Sequence, residues 1–206
     1  MAIKKKKQVE TEAKIPPINI KMATLTIVGD SPLLINAFAE KSIREMEDKQ
    51  TGKAKQKKAA RNILEEYKNA FYYMDTKKKK FGIPASGIKL CAVSACRYTD
   101  LKMTNIKGTF HVLSEANGLC EIKAGKPVMD ESIVRIGGFG KKIPMTRYRP
   151  RWDSWEITFK IRYNANIITP AQIANLYENA GFGIGLCEHR PEKNGSNGMF
   201  HVKRAA

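Results

Sequence analysis

The stretch WEITFKIRY, residues 155–163, constrains this chain more than any other. Trp155, Ile157, Phe159, Ile161 and Tyr163 alternate strictly with Glu156, Thr158, Lys160 and Arg162. Successive side chains of a strand point to opposite faces, so this strand has one large apolar face and one polar face. Such a strand belongs in a sheet that is covered on one side and wet on the other. The rest of the chain must then supply partner strands and a covering layer of helices.

Two segments fit that covering layer. In FGIPASGIKLCAVSACRYT (81–99) a strand end and a Pro-Ala-Ser-Gly turn lead into a helix over 86–98. Ile88, Cys91, Ala92, Ala95 and Cys96 follow the i, i+3, i+4, i+7, i+8 spacing of one buried face, with Lys89 and Arg97 off it. Thr169-Pro170 reads as an N-cap and first helical residue; Ile173, Leu176, Tyr177 and Ala180 form the buried stripe and Gly181 the expected stop.

INIKMATLTIVG (18–29) reads as a strand closed by Gly29-Asp30. Residues 106–136 read as short strands separated by Asn117-Gly118, Ala124-Gly125 and Asp130-Glu131, and GGFGKK (137–142) as a loop. Residues 38–50 and 61–74 read as charged helices, the second with Tyr72-Tyr73 open to starting a strand, around QTGKAKQKKAA (50–60), which has no apolar face. The span from about 37 to 80 is therefore expected to be a basic insertion. Residues 1–17, rich in lysine and ending in Pro16-Pro17, are expected to be a flexible basic arm, leaving 18–206 as a single domain. Without the insertion the order is strand, helix, several strands, helix, strand. That order predicts an α+β fold with a ferredoxin-like, RRM-like βαββαβ core and extra β-hairpins.

Charge narrows the partners. Lys and Arg number 37 against 20 Asp and Glu, a net of +17, which draws polyanions, nucleic acid foremost. The clusters lie at 4–7, at 53–61, at 77–80 and in TRYRPRW (146–152). If the last is extended, Arg147, Arg149 and Arg151 share one face, while Tyr148 and Trp152 offer stacking surface on the other. Trp155, inside the alternating strand, reads as core.

Four cysteines without a CxxC pair and three scattered histidines give a metal site no support. Cys91 and Cys96 read as small buried apolar residues, and a reducing cytoplasm is the expected setting. No apolar run is long enough to span a membrane. The run AGFGIGLCEHRPEKNGSNGMFHV (180–202) carries five glycines in its 181–198 portion, yet it contains neither GxGxxG nor GxxxxGK[ST]. It also follows a helix instead of introducing one, so no cofactor is expected, and LCEHRP reads as a strand and turn.

Three pieces together resemble one family. IVGDSPLLINAF (27–38) is similar to the opening strand and Ser-Pro-Leu turn of RAMP-superfamily proteins, the RNA-binding subunits of CRISPR effector complexes. FGIPASGIKLCAVSACR (81–97) resembles their Pro-x-Ser turn and first helix, with a Lys and an Arg projecting. GFGIG…HRP…NGMFHV resembles their C-terminal glycine-rich loop, and also the endings of phage proteins, which implies a phage-encoded relative. Ala85, Gly87 and Leu90 depart from the family's usual Gly, Ser and Gly.

The resemblance implies a non-enzymatic protein that binds single-stranded RNA through its backbone with little sequence preference, and that assembles along the strand. Its site is expected at Ser31, at Lys53, Lys55, Lys57, Lys58 and Arg61 of the insertion, and at Ser86, Lys89 and Arg97 of the first helix. Arg147, Tyr148, Arg149, Arg151 and Trp152 follow, with Gly183, Gly185, Arg190 and Lys193 of the glycine run letting RNA or a neighbouring subunit lie close. Three alternatives stay open: a phage single-stranded DNA-binding or annealing protein, a metal-independent endoribonuclease, and a protein-binding decoy that engages a host defence complex through RAMP mimicry. The second needs His189 and His201 adjacent across a hairpin, or Asp30 as a loop acid.

Overall fold

The structure, a computed structural model, describes residues 16–38, 40–53, 60–137 and 142–204. The alternating segment is β8 (Trp155–Asn164), and its five apolar residues are all buried. Its neighbour β1 (Ile20–Gly29) runs antiparallel to it, from Ile20 opposite Asn164 to Val28 opposite Glu156. Beyond β1 lies the short β9 (Phe200–Val202). On the other side of β8 stand β4 (Phe110–Leu113) and β5 (Leu119–Ala124), one after the other along its length, and β5 also pairs with β3 (Gly82–Pro84).

A second antiparallel sheet runs β2 (Leu33–Leu34), β7 (Ile143–Trp152), β6 (Val128–Ile136). Helices α1 (Glu40–Gln50) and α2 (Ile63–Asn69) precede β3. Among the described residues the fold is therefore mixed, with five α-helices and two antiparallel sheets.

Helix α3 (Ala85–Ala95) buries Ile88, Cys91, Ala92 and Ala95, and Cys96 is buried just beyond its end, as the spacing predicts. Helix α5 (Pro170–Gly183) opens on a complete capping box between Thr169 and Gln172, and Ile173, Leu176, Tyr177 and Ala180 are buried. Both helices cover the apolar face of β8: the Tyr177 ring lies 5.3 Å from Phe159, and Cys91 Sγ donates to Gly185 O at 3.2 Å. Burial pushes the Cys91 thiol far up and the Cys187 and Cys120 thiols up to about 12 and about 11, so all four cysteines stay thiols.

Four local expectations are corrected. Residues 103–109, partly read as strand, form helix α4 (Met103–Thr109), with Ile106 and Thr109 buried one helical turn apart. Asp130-Glu131 does not break the chain but lies inside β6, where Tyr148 Oη donates to Glu131 across the ladder at 3.2 Å. The helix read over 61–74 stops at Asn69, because Phe71 and Tyr73 turn inward to stack with Phe81. LCEHRP forms turns, with Cys187 and His189 both at positive φ, instead of a strand. The Asn117-Gly118 turn stands as read, with φ of 52° and 74°. The arm at 1–15, the stretch 54–59 and most of the 137–142 loop lie outside the described residues.

Candidate nucleic-acid interface

The glycine run folds against its own chain. Gly181 does not stop α5, which continues to Gly183; the stop is Gly185, at φ 70°. A Cβ on Gly185 would lie 2.6 Å from Pro191 Cδ, and one on Gly183 2.6 Å from Tyr98 Cε2. On Gly195 and Gly198 it would meet the carbonyls of His189 and Leu186 at 1.7 and 2.0 Å. These glycines are therefore spent on close backbone approach within the protein, where the sequence reading placed RNA or a neighbouring subunit.

The three motif segments that carry the family resemblance do meet. They line one cavity of about 250 Å³, with Ile35 and Asn36 from the first, Gly87 and Leu90 from the second, and Gly185 and Arg190 from the third. Ser31 ties the first to the third and to β8: its Oγ accepts from Met199 N at 2.9 Å and its carbonyl from Trp155 Nε1 at 2.8 Å. Ser86 is exposed on the first turn of α3, and Lys193 is exposed on the short turn Pro191–Lys193.

The candidate arginines are almost wholly committed to carboxylates. Arg61 holds Glu66 by two bonds of 2.7 and 2.8 Å, and Arg147 reaches the same carboxylate at 3.6 Å. The Arg61 guanidinium holds the Glu66 carboxyl below its usual range, and Arg61 also lies 5.6 Å over the Tyr148 ring. Arg97 and Arg190 converge on Glu192 at 3.0 and 2.8 Å. Arg151 pairs with Asp153 at 3.0 Å and Asp130 at 3.6 Å, and Lys53 with Asp48 at 3.0 Å. Lys55, Lys57 and Lys58 lie outside the described residues.

Two members of the TRYRPRW group need outright correction. Trp152 is 2% exposed, packed on Phe71 and Phe81 with its Nε1 donating to Gly125 O at 3.2 Å. It offers no stacking surface, because Phe71 and Phe81 pack on it. Arg149, also 2% exposed, donates to Ser132 Oγ, reaches Glu188 at 3.5 Å and abuts His189 Nε2 at 3.2 Å. Burial pulls its guanidinium below the ordinary value, with Glu188 opposing. It joins the β6–β7 hairpin to the glycine segment instead of facing solvent.

Cations without carboxylates stand elsewhere, on the face of the main sheet opposite the helices. Register aligns two rows across β1, β8 and β4: Met22–Arg162–His111 and Thr24–Lys160–Leu113. The rows are about 7 Å apart, two residues along a strand. Arg162 and Lys160 are exposed, Met22 is 56% exposed, and Lys89 of α3 reaches round the edge to place Nζ 3.3 Å from His111 Nδ1. Among the described residues none of Lys89, Lys160 and Arg162 pairs with a carboxylate. Farther along this face Glu156 is taken by Lys203 at 2.8 Å.

Of these residues the sequence reading singled out Lys89 alone. The outward alternation of β8 already displayed Lys160 and Arg162, but nothing local brought His111 and Lys89 beside them.

His189 and His201 do not engage each other: the first contacts Arg149, and the second holds Asp30 at 2.6 Å. Among the described residues no group of His, Cys, Asp or Glu is placed to hold a metal, and no helix is long and apolar enough to cross a membrane. No family model matches the sequence, and no curated protein matches it. Among solved structures, the crystal structure of Cmr6 from Pyrococcus furiosus is similar over 91% of this chain and 100% of its own, with a TM-score of 0.46 and 10% sequence identity.

Proposed function

We propose that the protein is a non-enzymatic, RAMP-type RNA-binding protein that holds single-stranded RNA by its phosphates across the open face of the main sheet. The observation behind this is the division of the positive charge. Arg61, Arg97, Arg147, Arg151 and Arg190 are paired with carboxylates of the same chain, whereas, among the described residues, Lys89, Lys160 and Arg162 share one exposed face without such partners. Unpaired cations attract phosphate over a Debye length; paired ones do so weakly. The meeting of the three motif segments in one cavity supports the RAMP reading. The ferredoxin-like core is supported by the order β9, β1, β8, β4/β5 across the sheet, with α3 and α5 on one face.

The test is fluorescence anisotropy with short single-stranded RNA, single-stranded DNA and duplex at two salt concentrations. Single-stranded RNA should bind tightest, with affinity falling steeply with salt. Lys160→Glu combined with Arg162→Glu should weaken it more than tenfold and lower the logarithmic salt slope by about 2. Equal weakness for all three ligands at moderate salt overturns the reading, and a preference for DNA replaces it with the single-stranded DNA alternative. The RNA is expected to be recovered uncut.

A further inference from the structure

We propose that one RNA phosphate seats between Lys89 and Arg162 against His111, and that this seat takes up a proton when RNA binds. The proposal rests on the RNA reading of the open sheet face and adds a regulation to it.

The geometry sets the starting state. Lys89 Nζ lies 3.3 Å from His111 Nδ1, and an ammonium group only donates hydrogen bonds. His111 Nδ1 is therefore the acceptor, its proton sits on Nε2, and the ring is neutral while this contact stands. Arg162 lies directly opposite His111 in the β4–β8 ladder, within the 4.5–5.5 Å Cβ spacing of such pairs. The neighbouring elements add no acid: β1 presents Met22 and Thr24 to these rows, β8 adds Lys160, Leu113 is the other outward residue of β4, and α3 and α4, which pack against β4, contain no Asp or Glu and contribute Lys89 and Lys107. Burial first, then Lys89 and Arg162, hold His111 below the ordinary histidine range.

A phosphodiester reverses this balance. It is a monoanion throughout the range in which histidine titrates; seated here it draws Lys89 Nζ off His111 Nδ1, offsets part of the local positive charge and so favours the imidazolium. Whatever binds an anion more tightly when a group is protonated must, by linkage, raise that group's proton affinity. RNA affinity therefore rises as pH falls between the lowered pKa of free His111 and the higher pKa of the bound state. One coupled proton can give at most tenfold per pH unit, which caps the gain between pH 7.5 and 5.5 at about a hundredfold; because the coupling acts only between the free and bound pKa, the gain expected is roughly tenfold.

His201 is the other histidine on this face, opposite Val28 and 2.6 Å from Asp30, and serves as the control. The experiment compares single-stranded RNA affinity at pH 7.5 and 5.5, at fixed ionic strength, for the wild type, His111→Gln and His201→Gln. It is joined to an NMR titration of the three histidines with and without RNA. The expected result is that the ratio of affinities at pH 5.5 and 7.5, roughly tenfold in the wild type, falls to near one in His111→Gln, whatever that variant's affinity at pH 7.5. His201→Gln should keep that gain, and the His111 pKa should rise on binding. A gain that survives His111→Gln, an unmoved His111 pKa, or binding indifferent to pH overturns the proton-coupled seat while leaving the RNA reading intact. Absence of RNA binding at both pH values overturns the RNA reading and this proposal with it.

Discussion

The carbonyl oxygen of Phe200 stands 1.8 Å from where a Cβ on Gly181 would be. Strand β9 thus reaches its place beside β1 only because α5 has no side chain at that turn. An alanine would ordinarily favour a helix by about 1 kcal/mol over glycine, but here it meets backbone that cannot swing aside. Gly181→Ala should lower stability by roughly 1–3 kcal/mol, the usual cost of overpacking, measured by denaturant unfolding.

Gly183 behaves differently, although it lies two residues on. A side chain there meets the ring of Tyr98, which is 55% exposed and free to rotate outward. Gly183→Val should lose the 3.3 Å bond from Tyr98 Oη to the Gly183 carbonyl at a cost of about 1 kcal/mol or less. Its RNA affinity should equal that of the wild type in anisotropy, since Tyr98 already covers the position.

The arginines of β7 should separate by burial. Arg149→Ala removes charge-assisted bonds to Glu188 and Ser132, worth roughly 1.5–3 kcal/mol each before relaxation, so its Tm should fall clearly. Arg147→Ala breaks a half-exposed pair with Glu66 and should change stability by less than about 1 kcal/mol. Neither should alter the salt dependence of RNA binding as the Lys160 and Arg162 substitutions do.

Acid should weaken the RNA-free protein through His111. Its folded pKa lies below its unfolded one, so the unfolded chain binds more protons on acidification and stability falls as pH drops through the ordinary histidine range. His111→Gln should therefore raise Tm at pH 5 and leave it unchanged at pH 8, read by thermal scans at both.

The helix cap offers a control away from the interface. Thr169→Ala loses the side-chain half of the capping box with Gln172 and should cost about 1 kcal/mol without altering RNA affinity.

The sequence alone determined the features set by local periodicity and capping. The inward face of β8, the buried stripe of α3, the Thr169 cap of α5 and the Asn117-Gly118 turn each depend on residues within a few positions of one another. Sequence charge likewise set the expectation of an anionic partner, and the three motif segments, read as belonging together, do meet in the fold. Only the tertiary structure decided which charges remain available. The partners of Arg147, Arg97 and Arg149 lie 39 to 95 positions away or on another element, and strand register and loop packing bring them into contact. The same long-range packing buried Trp152 against Phe71 and Phe81 and turned the glycine run onto its own backbone. It also set His111 between Arg162 and Lys89, because antiparallel pairing of β4 with β8 joins residues about fifty positions apart.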